Sequence, residues 1–533
     1  MKYLLFTIFI SIVILSACNN AREQAATQVP RDKSITRKNA YTELFFDSTS
    51  MEKFIAGTSM SDSLARRMRN FYNSRNYQYA WFFDEGIADY ASTFLQMQND
   101  YIFYSGDSSL FNLQLRQLVD YFDSTHEKFN ASDSNILKTE LMLSAQFFRY
   151  ARRAYQGSNQ LDAQQLEWFI PRKKINAVAM LDSLVRNRGK NVEEYEPVNR
   201  QYNLLKNFLL KYYSLQKTGW QKINFDKKSY KQGDSSLAIE QMKRRLITEG
   251  DLAQNDTTSF FDTAMKSAIK SFQHRYGFKE DGVIGASVMN EMNRPVDDYI
   301  RKILINMERI RWVPAQPQTD YLLVNIPEFR LHVFEKAKYQ WSMNVVVGTA
   351  AHNTVIFNGA LKYIVFSPYW NVPPGILKNE ILPAIRRNKN YLASHNMEWN
   401  GNYVRQKPGP SNALGLVKFL FPNSYNIYMH DTPSKDLFNE NKRTFSHGCI
   451  RLSQPKKLAE FLLRNNSNWN SDKITKAMNS GKEQYVTLKE PIPVFIGYFT
   501  AWVDHTGKLN FRDDVYGHDK SMAEHLFASA SSK

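Results

Sequence analysis

Apolar positions in the front half of the chain recur every three or four residues. Leu137, Leu141, Ala145 and Phe148 form one such series, and that period places successive apolar side chains on one face of an α-helix. The same spacing predicts helices over Ser61–Ser74, Leu110–Phe122, Asn135–Tyr155 and Asn199–Thr218, so residues 41–232 read as a helical scaffold. A shorter pattern follows over 233–295. Ile239, Met242 and Leu246 mark one helix face that Gly250 closes, and Ala264, Ala268 and Phe272 mark another. The glycines of Tyr276-Gly277-Phe278 and of Asp281-Gly282-Val283-Ile284-Gly285 sit where short helices need turns. Residues 296–318 connect this unit to the next, with a helix over 296–312 that ends at Trp312, before Pro314. From Tyr321 the period drops to two. Tyr321–Ile326, Phe329–Phe334, Trp341–Val347 and Leu361–Ser367 are rich in β-branched and aromatic residues and predict strands. Leu414–Phe421, Asn426–His430 and 484–496 add strands, 453–466 adds a helix, and Ile376–Asn412 is a helical insertion. The fold class is multidomain α+β: helical regions, then a mixed β-rich domain over 319–519 and a tail, 520–533.

The chain opens with one positive charge, Lys2, and an apolar run from Leu4 to Leu15. That run is shorter than the ~20 residues a membrane-spanning helix needs, and it predicts an export signal over 1–17. Its end, Leu15-Ser16-Ala17-Cys18, resembles a bacterial lipoprotein cleavage box. The resemblance implies that Cys18 becomes the acylated first residue of a chain held to a membrane by acyl groups, in the periplasm or cell envelope. Residues 18–40 are polar, without apolar period, and predict a flexible tether with a reach of roughly 25 Å.

Composition narrows the class. Hydrophobic residues make up 43% of 533, enough for real cores. A net charge of +17 suits a polyanion, and the export signal argues against nucleic acid. Peptidoglycan, whose stem peptides carry free carboxylates, fits both. The basic residues are scattered, so charge alone is weak evidence.

The chemistry concentrates in two short segments. Tyr428-Met429-His430-Asp431-Thr432-Pro433 reads as a strand running into a turn, with Tyr428 and His430 on one face. After an interval over 431–445 comes Ser446-His447-Gly448-Cys449-Ile450-Arg451. The chain has two cysteines, Cys18 and Cys449. With Cys18 acylated, Cys449 is a free thiol in an oxidising compartment, a liability unless it is used. Gly448 lets the backbone turn sharply, and its N–H and that of Cys449 could face a developing oxyanion. The arrangement suggests acyl transfer: Cys449 as nucleophile, an imidazole as base, backbone donors for the charge. His430, His447 and Cys449 could also ligate zinc, but no His-x3-His or Cys-x2-Cys spacing accompanies them. No metal and no cofactor is expected.

These residues resemble the L,D-transpeptidase catalytic domain, whose motif is a histidine, about fifteen residues, then Ser/Thr-His-Gly-Cys and often Ile-Arg. Phe71-Tyr72-Asn73-Ser74-Arg75-Asn76-Tyr77 resembles the scaffold of the larger members, and 233–293 resembles a three-helix peptidoglycan-binding module. The resemblance implies a capping subdomain at 376–412, a His430 oriented by the Asp431 carbonyl, and a His447 that shapes the pocket. It makes Arg451 a ligand for a stem carboxylate or a lock on the loop. Tyr428, Trp370 and Asn371 would line the substrate groove, with hydrophobic support of the insertion as the alternative for Trp370. Lys378, Arg386, Arg387 and Lys389 would face anionic stems or merely solvent. Implied partners are donor and acceptor peptidoglycan stems, and carbapenems that acylate Cys449. Water as acceptor would make the chain an L,D-carboxypeptidase; free D-amino acids would make it an exchange enzyme; a dead site would leave a wall-anchoring lipoprotein. A papain-like peptidase is a further class.

Overall fold

The computed structural model describes residues 28–124, 134–158, 161, 164–190, 198–253, 256–314 and 317–527. The export signal and Cys18 lie outside the described residues. Two units result: Met1–Gln156 with Lys174–Pro197, and Gly157–Lys173 with Val198–Lys533.

The first unit is helical, with its longest helix, Ser134–Gln156, carrying a continuous buried stripe that includes Leu141, Ala145 and Phe148. Glu140 on that helix is fully buried. Its carboxylate accepts from the Ala80 and Trp81 N–H groups at 2.7 and 2.8 Å and from the Tyr72 hydroxyl at 2.7 Å. One carboxylate thus ties the segment after helix Asp62–Asn73 to the long helix. Val29 and Asp32, within the stretch expected to be a flexible tether, are fixed to the first unit. The Asn73 amide donates to the Val29 carbonyl, Val29 N–H donates to Asn70, and Asp32 N–H donates to the Asn73 carbonyl. Hydrogen bonds to a helix end fix this stretch without any apolar periodicity.

The scaffold also ends earlier than 232. Helix Arg200–Thr218 buries Tyr202, Leu205, Leu209 and Tyr212 within the second unit. There Gln201 exchanges two hydrogen bonds with the Val503 backbone, and the Tyr202 hydroxyl accepts from Arg311.

In the second unit, helices Leu237–Glu249, Thr263–Tyr276 and Ala286–Met292 form the expected three-helix module. Gly250 closes the first at φ +87°. Gln273 is buried and spent on the following turn, bonding Asp281, the Val283 carbonyl and the Gly282 N–H. The connecting helix, Val296–Trp312, is a buried spine: Asn306 and Arg309 reach Thr500 and Asp519. The tail is anchored too, as helix His518–Leu526 with Met522 in the core.

The spine packs beneath a nine-stranded sheet: β1 Tyr321–Asn325, β2 Arg330–Glu335, β3 Lys338–Gly348, β4 Phe357–Phe366, β5 Val417–Leu420, β6 Met429–His430, β7 Thr444–Ser446, β8 Ile450–Leu452 and β9 Gln484–Gly497. The order is β7-β3-β8-β6-β5-β4-β9-β1-β2, and β2 also pairs with β3, closing the ring. Between β4 and β5 stands the insertion. It is not all helix. Trp370–Asn371, Tyr403–Gln406 and Met397–Asn400 form a three-stranded sheet beside short helices. The turn Asn400-Gly401-Asn402, with Gly401 at φ +63°, makes the hairpin. The insertion has its own small core, Val372, Ile381, Met397 and Val404. Buried Asn412 clasps its base by donating to the Pro368 and Lys407 carbonyls.

Burial drives the Glu140 carboxyl up to about 7, against the opposing pull of its three donors and of Arg75. The folded state therefore binds more protons than the unfolded one between the ordinary carboxylate range and pH 7. Stability conferred at low pH should fall as pH rises through that window, by up to about 1.4 kcal/mol per pH unit. Thermal melting of the wild type across pH 4–8 should show this slope, and Glu140→Gln should lack it.

Candidate active site

The sheet register assembles the site. β6 lies between β5, antiparallel, and β8, parallel, with Lys418 opposite His430 and His430 opposite Arg451. Paired residues point to the same face, and so do residues two apart on one strand. Lys418, Tyr428, His430, Cys449 and Arg451 thus share a face, while Phe419, Met429 and Ile450 point into the core and are fully buried. Tyr428 and His430 stand with ring centroids 5.7 Å apart.

His430 is buried, 4% exposed. Its Nδ1 lies 2.5 Å from the Asp431 carbonyl oxygen. A carbonyl only accepts, so Nδ1 carries the proton and Nε2 is left as the acceptor. The Asp431 side chain does not touch the imidazole. It accepts from Leu416 N–H at 2.9 Å and Thr432 N–H at 2.7 Å, and pairs with Lys435. Gly415, at φ +61°, lets the carboxylate in: a Cβ there would lie 2.4 Å from Asp431 Cγ. Burial pulls the imidazole down to about 3, with the Arg451, Lys418 and Lys435 charges acting the same way and the Asp431 carbonyl opposing. His430 is neutral across the physiological range.

The cysteine loop is pinned from below. Gly448 adopts φ +108°, and its carbonyl accepts from Thr354 Oγ1 at 2.8 Å. Its N–H donates to Ser446 Oγ at 3.1 Å, and Ser446 Oγ donates to the Cys449 carbonyl at 2.6 Å. The expectation that the Gly448 N–H faces an oxyanion is therefore corrected: Ser446 takes that donor. The Cys449 N–H makes no hydrogen bond to the described residues and remains available.

The thiol is half-buried. Its Sγ donates weakly to the Asn426 carbonyl at 3.7 Å, which Asn426 presents from φ +56°. No hydrogen bond joins Sγ to His430 among the described residues. Burial pushes the thiol up, and hydrogen bonding with Tyr428 and the Arg451 charge only partly offset this. The resting pair is neutral thiol and neutral imidazole. Arg451 has no ion-pair partner among the described residues, and its buried Nε has no hydrogen-bond partner.

The remaining candidates lie further out. His447 is half exposed and faces the insertion, Nε2 standing 3.6 Å from Glu380 Oε1, with the His352 ring 5.2 Å away on its other side. Trp370 and Asn371 sit in the insertion's sheet, and Trp370 packs on the insertion's own core. Lys378, Arg386, Arg387 and Lys389 are exposed. Sequence reasoning missed Ser446 and Thr354 as props of the loop. It also missed the strap Gly157–Lys173, where Glu167 accepts from the Asn353 amide at 3.0 Å beside Thr354. Only the strap's aromatic pair, Trp168-Phe169, hinted at a buried segment.

Comparison with known proteins agrees with the parts. The family model described as "L,D-transpeptidase catalytic domain" matches residues 319–488. Models described as "Scaffold domain" and "Putative peptidoglycan binding domain" match 66–209 and 235–292. A curated relative from Haemophilus influenzae, "Putative L,D-transpeptidase", is 30% identical over 243 residues, 42% of this chain and 49% of the relative. The match thus spans about half the relative's length. Among solved structures, an L,D-transpeptidase from Stackebrandtia nassauensis is 16% identical, covering 52% of this chain and 98% of that one with a TM-score of 0.21. L,D-transpeptidase 3 from Mycobacterium tuberculosis, solved with a faropenem-derived adduct, is 13% identical, covering 34% and 61% with a TM-score of 0.18.

Because the thiol is held up and His430 stays neutral, the rate of Cys449 alkylation by iodoacetamide should climb about tenfold per pH unit from 7 to 9. A plateau near pH 6–7 would reveal a preformed thiolate–imidazolium pair instead. Gly415→Ala should cost roughly 1–3 kcal/mol in urea denaturation. Gly401→Ala, at φ +63° with nothing within 4 Å, should cost less, isolating the Asp431 contact.

Proposed function

We propose that this chain, with an L,D-transpeptidase catalytic domain following a peptidoglycan-binding domain, is a peptidoglycan L,D-transpeptidase that uses Cys449 as its nucleophile. The reading rests on one observation. The sheet register sets Tyr428, His430, Cys449 and Arg451 on a common face, with His430 Nε2 left unprotonated.

The thiol rotates from the Asn426 carbonyl toward Nε2, which takes its proton. Sγ attacks the carbonyl of the diaminopimelate–D-alanine amide in a tetrapeptide donor. The Cys449 N–H holds the oxyanion, and the unpartnered Arg451 holds a stem carboxylate. The C–N bond breaks, His430 returns the proton to the departing D-alanine amine, and a thioester remains. The side-chain amine of a second stem's diaminopimelate attacks the thioester and gives a proton to His430. The new amide joins two third-position residues, and the thiol is restored. The cleaved amide supplies the energy, so no nucleotide is consumed. Export, acylation at Cys18 and a place in the cell envelope belong to the same proposal, because the polymer is outside the cytoplasm.

The test is muropeptide analysis of sacculi incubated with the purified protein. The wild type should yield cross-links between third-position residues, Cys449→Ala none, and His430→Ala roughly 10²–10⁴-fold less. Trimmed tripeptide stems without cross-links would make water the acceptor and the chain a carboxypeptidase. An absent product in the wild type, together with no mass adduct on Cys449 after carbapenem exposure, would overturn the enzymatic reading.

A further inference from the structure

A second polar cavity, of about 470 Å³, opens where the turn Tyr276–Glu280 of the peptidoglycan-binding domain meets the turn Pro327–Arg330 of the catalytic domain. Arg330, Arg443 and Arg512 converge on it. None of the three forms an ion pair among the described residues. Arg330 donates to Ser342 and Asn344. Arg443 donates to the carbonyls of Val345, Glu440 and Phe329. Arg512 donates to the carbonyls of Arg275 and Phe511, which leaves its Nε and Nη2 unspent. Every acceptor is neutral.

The carboxylates around the cavity form no ion pair with them, although the buried Glu328 carboxylate lies close enough to oppose their charge in part. Glu328 is engaged by His332 at 2.8 Å. Asp514 is taken by the Tyr498 hydroxyl and by two backbone N–H groups. Glu280 pairs with His274. Asp513 forms no ion pair with any of the three guanidinium groups. Burial, helped by the Arg330 and Arg512 charges and opposed by Glu328, brings Arg443 down to about 10. Like charges gathered with only partial compensation are costly, and a bound anion relieves the cost.

The cavity has one wall on the binding domain and one on the catalytic sheet. Gly277, at φ +75°, lets Arg512 lie against the domain: a Cβ there would be 2.7 Å from Arg512 Cδ. On the other wall, Asn344 lies four residues before Gly348 on β3, the strand end beside the cysteine loop, a separation of roughly 13 Å. We propose that this cavity is a second carboxylate-binding site, in which Arg330, Arg443 and Arg512 hold a stem carboxylate of a peptidoglycan strand that the binding domain presents. The proposal rests on peptidoglycan as the polymer, but not on catalysis.

The test uses the full chain with Cys449→Ala and Arg451→Gln, so that neither turnover nor the active-site cation contributes. Calorimetric titration compares a soluble disaccharide-tetrapeptide, the same fragment with amidated carboxylates, and inorganic phosphate. The free-carboxylate fragment should bind about tenfold or more tightly than the amidated one. Arg330→Gln should erase that difference, and Arg330→Lys should restore part of it. Lys442→Gln, at an exposed position on the cavity rim, should weaken the free-carboxylate fragment in the same direction if Arg330→Gln does not fold. Equal affinity for the two fragments, or parental affinity in Arg330→Gln, would overturn the proposal. Tighter binding of phosphate than of the fragment would also overturn it, by assigning the cavity to a phosphate ligand. Failure to cross-link sacculi in the earlier experiment would leave this result standing.

Discussion

The hydrogen bond from His430 Nδ1 to the Asp431 carbonyl is the contact on which the site depends. It spends one ring nitrogen on the backbone and so decides which nitrogen can take a proton. The arrangement is only as firm as the turn that carries the carbonyl. Asp431 fastens that turn with its side chain, using the Leu416 and Thr432 N–H groups and Lys435. Gly415 makes the fastening possible by having no Cβ where the carboxylate sits. A carboxylate near a catalytic imidazole invites the reading of a charge relay. Here the negative group holds the backbone, and the backbone holds the ring.

Much of this was legible in the sequence. A helix needs only local periodicity, and Val296–Trp312 runs over the residues the pattern predicts. The three-helix module was equally clear, since capping glycines and apolar faces lie within a short span. The cysteine loop was visible because glycine, cysteine, histidine and arginine adjoin. What escaped is what depends on distant partners. The alternation over Asn426–His430 announced β6, but its shortening to Met429–His430 depends on where β5 and β8 flank it. The strap Gly157–Lys173 is tied to the rest of the second unit by partners far along the chain, the Trp168–Ile356 bridge and the Glu167–Asn353 and Ser158–Glu308 hydrogen bonds. The fate of the Gly448 N–H hung on the rotamer of Ser446, which no spacing encodes. The hairpin of the insertion does carry a local signal, the Asn400-Gly401 turn, but it is embedded among residues that favour helix.

The connecting helix changes how the second unit should be pictured. Asn306, Arg309, Thr500 and Asp519 form a polar network that is almost wholly buried. Arg309 Nη2 is buried without a hydrogen-bond partner among the described residues, a cost the network carries while it favours one arrangement over its near neighbours. The same helix also reaches the binding domain, where the Tyr299 hydroxyl donates to Glu291 at 2.8 Å, so it holds both domains where a loose linker would have allowed many geometries. That rigidity is what gives a cavity between their turns a defined shape.

The protonated resting thiol has a consequence beyond acyl transfer. Peroxides and disulfides react with thiolates, and a sulfur that keeps its proton meets them slowly. Half-buried beside Tyr428 and without a hydrogen bond to His430 among the described residues, Cys449 is slow to be oxidised. Durability is the counterpart of its modest reactivity at rest.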